Sequence, residues 1–252
     1  NEQALPGYYE VLLKTHNTKV ELTASDRVAF HRYTFPKDAE KHVMINLKDA
    51  NGDDRPTNTY LEQMNDTVIR GYRHSTGWSK KQQIYFTAVF SQPIHLALYH
   101  DSVQVAGNHL QGLDVKGNVS IVSTKEELCV KVGISPVSMD NAMGNIQQEI
   151  KNWDFEKIVE ETTKKWNTEL SKLQVETNNV AAKRVFYTAL YHAFMQPIMF
   201  NDYNKEYRGT DKSIYGDPEF TNYTVFSLWD TYRAAHPLYT LVQPERVPDF
   251  VN

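Results

Sequence analysis

The feature that most constrains the fold of this chain is a change of hydrophobic period near Ser135. Upstream of it, apolar residues recur at every second position. In "KVELTASDRVAFHRYTF" Val20 and Leu22 precede the turn-like "ASD", and Val28 and Phe30 follow it, as in a β-hairpin. The runs "HVMINL", "TVIRGYR", "QIYFTAVF", "IHLALYH", "NVSIVS" and "EELCVKVGI" continue the pattern, broken by turn pairs such as Asn51-Gly52, Asn65-Asp66 and Gly117-Asn118. Many short strands with no helical stretch between them predict an antiparallel β-sandwich and argue against a parallel sheet. Downstream the period becomes 3.6. "SMDNAMGNIQQEI" reads as a first helix. In "NWDFEKIVEETTKKWNTELSKL" Trp153, Ile158, Thr162, Trp166 and Leu170 recur at helical spacing, and Asp154 is placed to cap. "NNVAAKRVFYTALYHAFMQPIMF" is apolar over most of its circumference, which predicts burial among other helices, with Pro197 ending or kinking it. A long polar loop, "NDYNKEYRGTDKSIYGDPEFTNYT", then leads to "SLWDTYRAAHPLYTL".

The predicted organisation is therefore mixed β and α. Residues 1–136 form a sandwich, 137–175 linker helices, and 176–252 the opening of a helical domain. Two to four helices do not close such a domain, so its remainder is expected beyond Asn252.

Composition narrows the function. The 252 residues carry a net charge of −4, with no basic footprint for nucleic acid or an acidic membrane. No run approaches the ~18 apolar residues of a membrane span. Cys129, the single cysteine, has no partner for a disulfide or a zinc site and reads as a buried strand residue. "DANGDDRP" spaces Asp49, Asn51 and Asp53 like the start of a calcium loop. It lacks the later glycine and glutamate and reads as a hairpin turn. The histidines show no metal-ligand spacing and read as structural. P-loop, dinucleotide and nucleophile-elbow signatures are absent.

"SLWDTYR" supports two readings. In one, Ser227 and Asp230 approximate a capping box, Trp229 and Arg233 pack at i, i+4, and Pro237 ends the helix with His236 extended. In the other, the Asp230 carboxylate and Arg233 guanidinium hold adjacent hydroxyls of a sugar while the Trp229 indole supplies an apolar wall. Both remain open on local grounds.

The segment "SLWDTYRAAHPLYTLVQPERVPDFVN" resembles a signature stretch of the glycoside hydrolase family 92 α-mannosidases. "NEQALPGYYEVLL", "VELTASDRVAFHRYTFP", "GYRHSTGWSKKQQIYFTAVFS" and "YHAFMQPIMFND" resemble further stretches of that family, in its order and across nearly the whole chain. The resemblance implies a supersandwich-like β-domain followed by an (α/α)6 barrel. It also implies an exo-acting, calcium-dependent enzyme that inverts configuration as it trims terminal mannose, often α-1,2-linked, from glycans. By resemblance Trp229 and Asp230 hold the terminal mannose, with Arg233 as a weaker neighbour. "STGW" resembles the sandwich loop facing the pocket, which adds Gly77 and Trp78; a packing role for Trp78 stays open. Nothing here resembles the family's catalytic acid and base or most of its calcium ligands. The catalytic pair, the metal ligands and the rest of the polypeptide are therefore expected outside this chain, and the chain alone is expected to be inactive. Export to the bacterial periplasm, surface or medium is implied by the family alone. A carbohydrate-binding sandwich module and another (α/α)6 glycosidase are the alternatives.

Overall fold

The structure is a computed structural model that describes residues 2–251. Thirteen strands come first: β1 (Glu2–Leu5), β2 (Tyr8–Leu13), β3 (Thr18–Ala24), β4 (Val28–Thr34), β5 (His42–Asn46), β6 (Arg55–Asn65), β7 (Val68–Thr76), β8 (Gln82–Phe90), β9 (Ile94–His100), β10 (Val103–Val105), β11 (His109–Gly112), β12 (Val115–Ile121) and β13 (Glu127–Ser135). They build a nine-stranded sheet in the order β1-β2-β3-β4-β13-β8-β7-β6-β11 and a four-stranded sheet in the order β10-β9-β12-β5. Their pairings are antiparallel. Leu61, Ile69, Phe90 and Leu128 of the larger sheet meet Leu96, Leu98, Val115 and Val119 of the smaller one in the main core.

Strand β13 explains its own sequence. Leu128 and Val130 point into the main core, while Cys129 belongs to a second core on the outer face. Both faces are covered, so "ELCVKVGI" reads as a nearly continuous apolar run. The outer cover is α1 (Met139–Glu149) and α2 (Phe155–Leu170): Ile146 of α1, Ile150 just after it, and Phe155 and Ile158 of α2 close over Val28, Phe30 and Cys129. Asp154 caps α2 by accepting from Lys157 N at 3.1 Å. Gly133 lets α1 press onto β13, since a Cβ there would lie 2.2 Å from the Ala142 carbonyl oxygen. The architecture is thus sheet, sheet and helices.

The expected β3–β4 hairpin is present, and one strand-level expectation, at residues 49–56, changes. In the hairpin Leu22 lies opposite His31 and Val20 opposite Tyr33, while Phe30 lies opposite Thr23. Val20 and Leu22 therefore share the inner face with Tyr33, and Val28 and Phe30 occupy the outer face beneath α2. The turn pairs Ala24 with Ala29, and that register, which the alternation alone does not set, assigns the faces. "DANGDDRP" is a turn but not a hairpin: it carries the chain from β5 in the small sheet to β6 in the large one.

After α2 comes α3 (Val180–Phe194), which ends just before Pro197. It leans on α2 through Trp166 and Tyr191, whose rings lie 4.6 Å apart. Among its described residues only Leu190 is buried, and Val180 and Val185 are exposed, because few described elements flank it. Then follow β14 (Tyr207–Arg208), β15 (Ile214–Tyr215), α4 (Leu228–Thr231), α5 (Ala235–Val242), a 3-10 turn at Pro244–Arg246, and α6 (Val247–Val251).

Candidate functional site

The long polar segment after α3 is ordered by pairing with itself. Phe200 N donates to Asn222 O at 2.7 Å and Thr224 N to Ile198 O at 2.8 Å, so residues 198–201 and 222–224 run antiparallel straight into the Trp229 segment. Below that segment sits an aromatic cluster. Phe226 lies 4.7 Å from His236, 5.7 Å from Tyr239 and 5.7 Å from Phe250, ring centre to ring centre. The Tyr239 hydroxyl donates to Ala193 O at 2.8 Å and Gln196 O at 3.0 Å, fixing α5 to the end of α3.

On this base Trp229 is displayed almost entirely to solvent, with 89% of its surface exposed. A cavity of about 690 Å³ beside it is lined by Leu228, Trp229, Asp230, Tyr232 and Arg233. All five come from one segment, so the described residues supply one wall of a site. The capping box is not made: the Ser227 hydroxyl is engaged as a donor to Asp230 Oδ2 at 2.7 Å and caps no backbone N–H. No hydrogen bond among the described residues occupies Asp230 Oδ1. Nor is there one helix from Leu228 to Leu241. The chain breaks at 232–234, because a helix continuing through that point would drive the Pro237 ring into the carbonyl of Arg233. Pro237 instead sits in the first turn of α5, where its missing N–H costs nothing, and His236 is helical. The break is spanned by Thr231 Oγ1 and His236 Nε2 at 2.8 Å. No hydrogen bond or ring contact among the described residues joins Trp229 to Arg233, although both line the cavity. The Arg233 guanidinium turns onto its neighbour, Nε donating to the Tyr232 hydroxyl at 2.7 Å.

Gly77 and Trp78 lie in the β7–β8 connection. Ser135 pairs with Tyr85 across β13 and β8, which puts this connection at the end of the sheet where the chain leaves for α1. Gly77 makes a close approach there, since a Cβ would lie 3.0 Å from Asp54 Cα and push that backbone by a few tenths of an ångström. Trp78 packs little: 87% of its surface is exposed. Arg208 of the β14–β15 hairpin reaches the same end, donating to Pro136 O at 2.8 Å and Val137 O at 3.3 Å. His74 stacks on Tyr72 at 4.4 Å, and its Nε2 is buried without a partner among the described residues. Burial first, then the Arg208 and Lys81 cations, lower its pKa below the ordinary histidine value. No hydrogen bond, ion pair or ring contact among the described residues joins Gly77 or Trp78 to the Trp229 segment.

Sequence reasoning missed Asp202, which is 1% exposed. It accepts from Ser135 Oγ at 2.6 Å and from the side-chain amides of Asn141 and Asn145, each at 2.8 Å. Burial raises its pKa above the ordinary carboxylate value, although those three bonds pull it down. Its partners lie far away in sequence, so no local pattern marks it. Among the described residues no three His, Cys, Asp or Glu side chains converge as a metal site.

An antiparallel sandwich leading into helices, with an exposed indole and carboxylate past the junction, defines a two-part protein of a β half followed by a helical half. Residues 1–135 match the Glycosyl hydrolase family 92 N-terminal domain and residues 141–252 the Glycosyl hydrolase family 92 catalytic domain, and the chain belongs to that family. It is similar to a family GH92 alpha-mannosidase from Bacteroides thetaiotaomicron, with 34% identity and a TM-score of 0.92 over 98% of this chain and 35% of that one. The fold is shared with a family GH92 inverting mannosidase from Bacteroides thetaiotaomicron VPI-5482, at 23% identity and a TM-score of 0.85, over 97% of this chain and 33% of that one. An uncharacterized secreted glycosidase of Arthroderma benhamiae is 21% identical over 92% of this chain and 32% of its own length. The chain thus spans about a third of the length of these relatives.

Proposed function

We propose that this chain is part of an exo-acting α-mannosidase that removes terminal α-linked mannose, α-1,2-linked above all, from glycans with inversion. The observation that carries the reading is the joint exposure of Trp229 and Asp230 in a chain 34% identical to a family α-mannosidase. The indole offers an apolar wall to the C–H face of a hexose, and the free Oδ1 of Asp230 accepts from a ring hydroxyl. Arg233, at the rim, donates to a more distant group, and Trp78 and Gly77 belong to the sandwich side of the same pocket. In this reading residues 1–136 are part of the sandwich domain, 137–175 link, and 176–252 open the (α/α)6 catalytic domain.

Inversion needs two carboxyl groups roughly 6.5–9.5 Å apart, one protonating the leaving oxygen and one activating water. We assign both to residues outside these 252, since Asp230 here only holds the sugar. Calcium is part of the reading, as a hard cation taking oxygen ligands. No three acidic or histidine side chains converge among the described residues, so we assign its ligands mainly elsewhere in the polypeptide and derive no step through it. The isolated chain is then inactive: incubated with α-1,2-mannobiose and calcium it releases no mannose, and release would refute the assignment. Binding is tested in the complete enzyme by calorimetry with mannose, which is not hydrolysed, against glucose, and preference for glucose would favour another (α/α)6 glycosidase. Export is proposed too, to the bacterial periplasm, surface or medium. The secreted relative supports it, and no helix among the described residues is long and apolar enough to cross a membrane.

The exposure of Trp78 favours a second reading, a sandwich that binds sugar by itself. Calorimetry on residues 1–175 separates the two, because that piece keeps the α1 and α2 residues that complete the outer core. Sugar binding by it without the Trp229 segment supports the module.

A further inference from the structure

The strap at residues 198–202 is held from three sides. From the sandwich, Ser135 at the end of β13 donates to Asp202. From the β3–β4 turn, Arg27 donates to Asn201 O and, through Nη2, contacts Met199 Sδ at 2.9 Å, while its Nη1 is paired with Glu149 at 2.7 Å. From α1, Asn141 and Asn145 donate to Asp202, and Asn145 Oδ1 accepts from Tyr203 N at 2.8 Å. Gly144 completes the seat, since a Cβ there would lie 2.2 Å from the Tyr203 ring. The far side of the strap is paired with residues 222–224, only a few positions before Trp229.

We propose that Asp202 is a positioning residue: its bonds to Ser135, Asn141 and Asn145 fix the strap, and through it the Trp229–Asp230 platform, against the sandwich end that carries Trp78. Asp202 is the joint common to β13, α1 and the strap, and each carboxylate oxygen receives a donor from a different element or pair of elements. An asparagine in its place cannot substitute. Whichever way its amide points, its NH2 meets a side chain that is itself donating, either Asn145 or the Ser135 and Asn141 pair. That unmade contact is buried, so the strap loosens instead of simply losing a bond.

The inference concerns the platform that the mannosidase reading uses, but its test involves no sugar, so either can fail alone. Nitroxide labels at Lys80→Cys and Leu228→Cys report the distance across the junction in the 252-residue chain. Both positions are exposed, and Cys129 is buried with its thiol pushed up to about 11, so it stays unlabelled. In this background the label distance is narrow. Asp202→Asn broadens it about twofold or more, at temperatures where the chain remains folded, and Ser135→Ala broadens it less. Ile69→Val, which loosens only the main core, leaves the width unchanged. If Asp202→Asn fails to fold, Ser135→Ala decides. An unchanged width in both junction variants overturns the proposal, as does equal broadening by Ile69→Val.

Discussion

Replacing Trp229 by alanine separates a displayed side chain from a packed one. Truncating a buried Phe or Trp costs about 3–5 kcal/mol. Trp229 keeps 89% of its surface in water, so about a tenth of that cost applies, on the order of 0.4 kcal/mol. For a chain of this size that lowers the thermal midpoint by roughly 1 °C. Binding behaves differently if the indole is the wall of a sugar site. Covering ~80–100 Å² of apolar ring by a hexose face stabilises the complex by about 2 kcal/mol. Losing that weakens affinity roughly 30-fold. The two measurements are thermal unfolding of this chain and calorimetric titration of the complete enzyme with mannose, a sugar it cannot cleave. A fall in midpoint of more than about 5 °C would show that Trp229 carries packing and would refute the first half of the reasoning. An intact midpoint together with unaltered affinity would refute the second.

Three further outcomes follow from contacts elsewhere in the fold. Glu21 is buried on the outer face of the larger sheet; burial pushes its pKa up, but bonds from Arg32, Tyr8 and Lys19 outweigh that and hold it at about 2. Because the folded pKa is depressed, its contribution of about 3 kcal/mol is complete above pH ~4.5 and is lost as the pH falls from there towards 2. Glu21→Gln therefore destabilises at neutral pH and flattens the acid limb of a urea-midpoint-against-pH curve in that window. Gly133→Ala drives a methyl into the Ala142 carbonyl and forces α1 off β13, costing about 1–3 kcal/mol by urea titration, whereas a neutral result would mean that α1 does not seat there. Tyr239→Phe removes the donor shared by Ala193 and Gln196, with an expected loss of about 1 kcal/mol and faster amide exchange at the end of α3; unchanged exchange would uncouple α5 from α3.

The legible parts of this fold are those set by neighbours in the chain. The change of period at Ser135 divides strands from helices because side-chain alternation and helical recurrence are properties of consecutive residues. Asp154 caps α2 for the same reason: a cap acts on the N–H three positions ahead. Cys129 reads correctly as buried because a strand covered on both faces loses its alternation. What alternation does not carry is register. Val20, Leu22, Val28 and Phe30 have the right spacing, but the turn between them sends the two pairs to opposite faces.

The candidate site divides along the same line. The residue types at Trp229 and Asp230 are visible in the sequence, and the rule that places Pro237 is local too. Its strongest local preference, the first turn of a helix, is what breaks the segment between Thr231 and Ala235. The capping reading fails because the Ser227 hydroxyl accepts from no backbone N–H and bonds the Asp230 side chain, an orientation that spacing leaves open. The seat beneath the platform is not legible at all. Asp202 meets Ser135 across 67 positions and Asn145 across 57, and Arg27 reaches Asn201 across 174. A local motif here specifies which groups are displayed to solvent, and long-range polar contacts specify where they are displayed. Variants of the motif should therefore change affinity with little change in stability, and variants of the seat should move the platform while its residues stay the same.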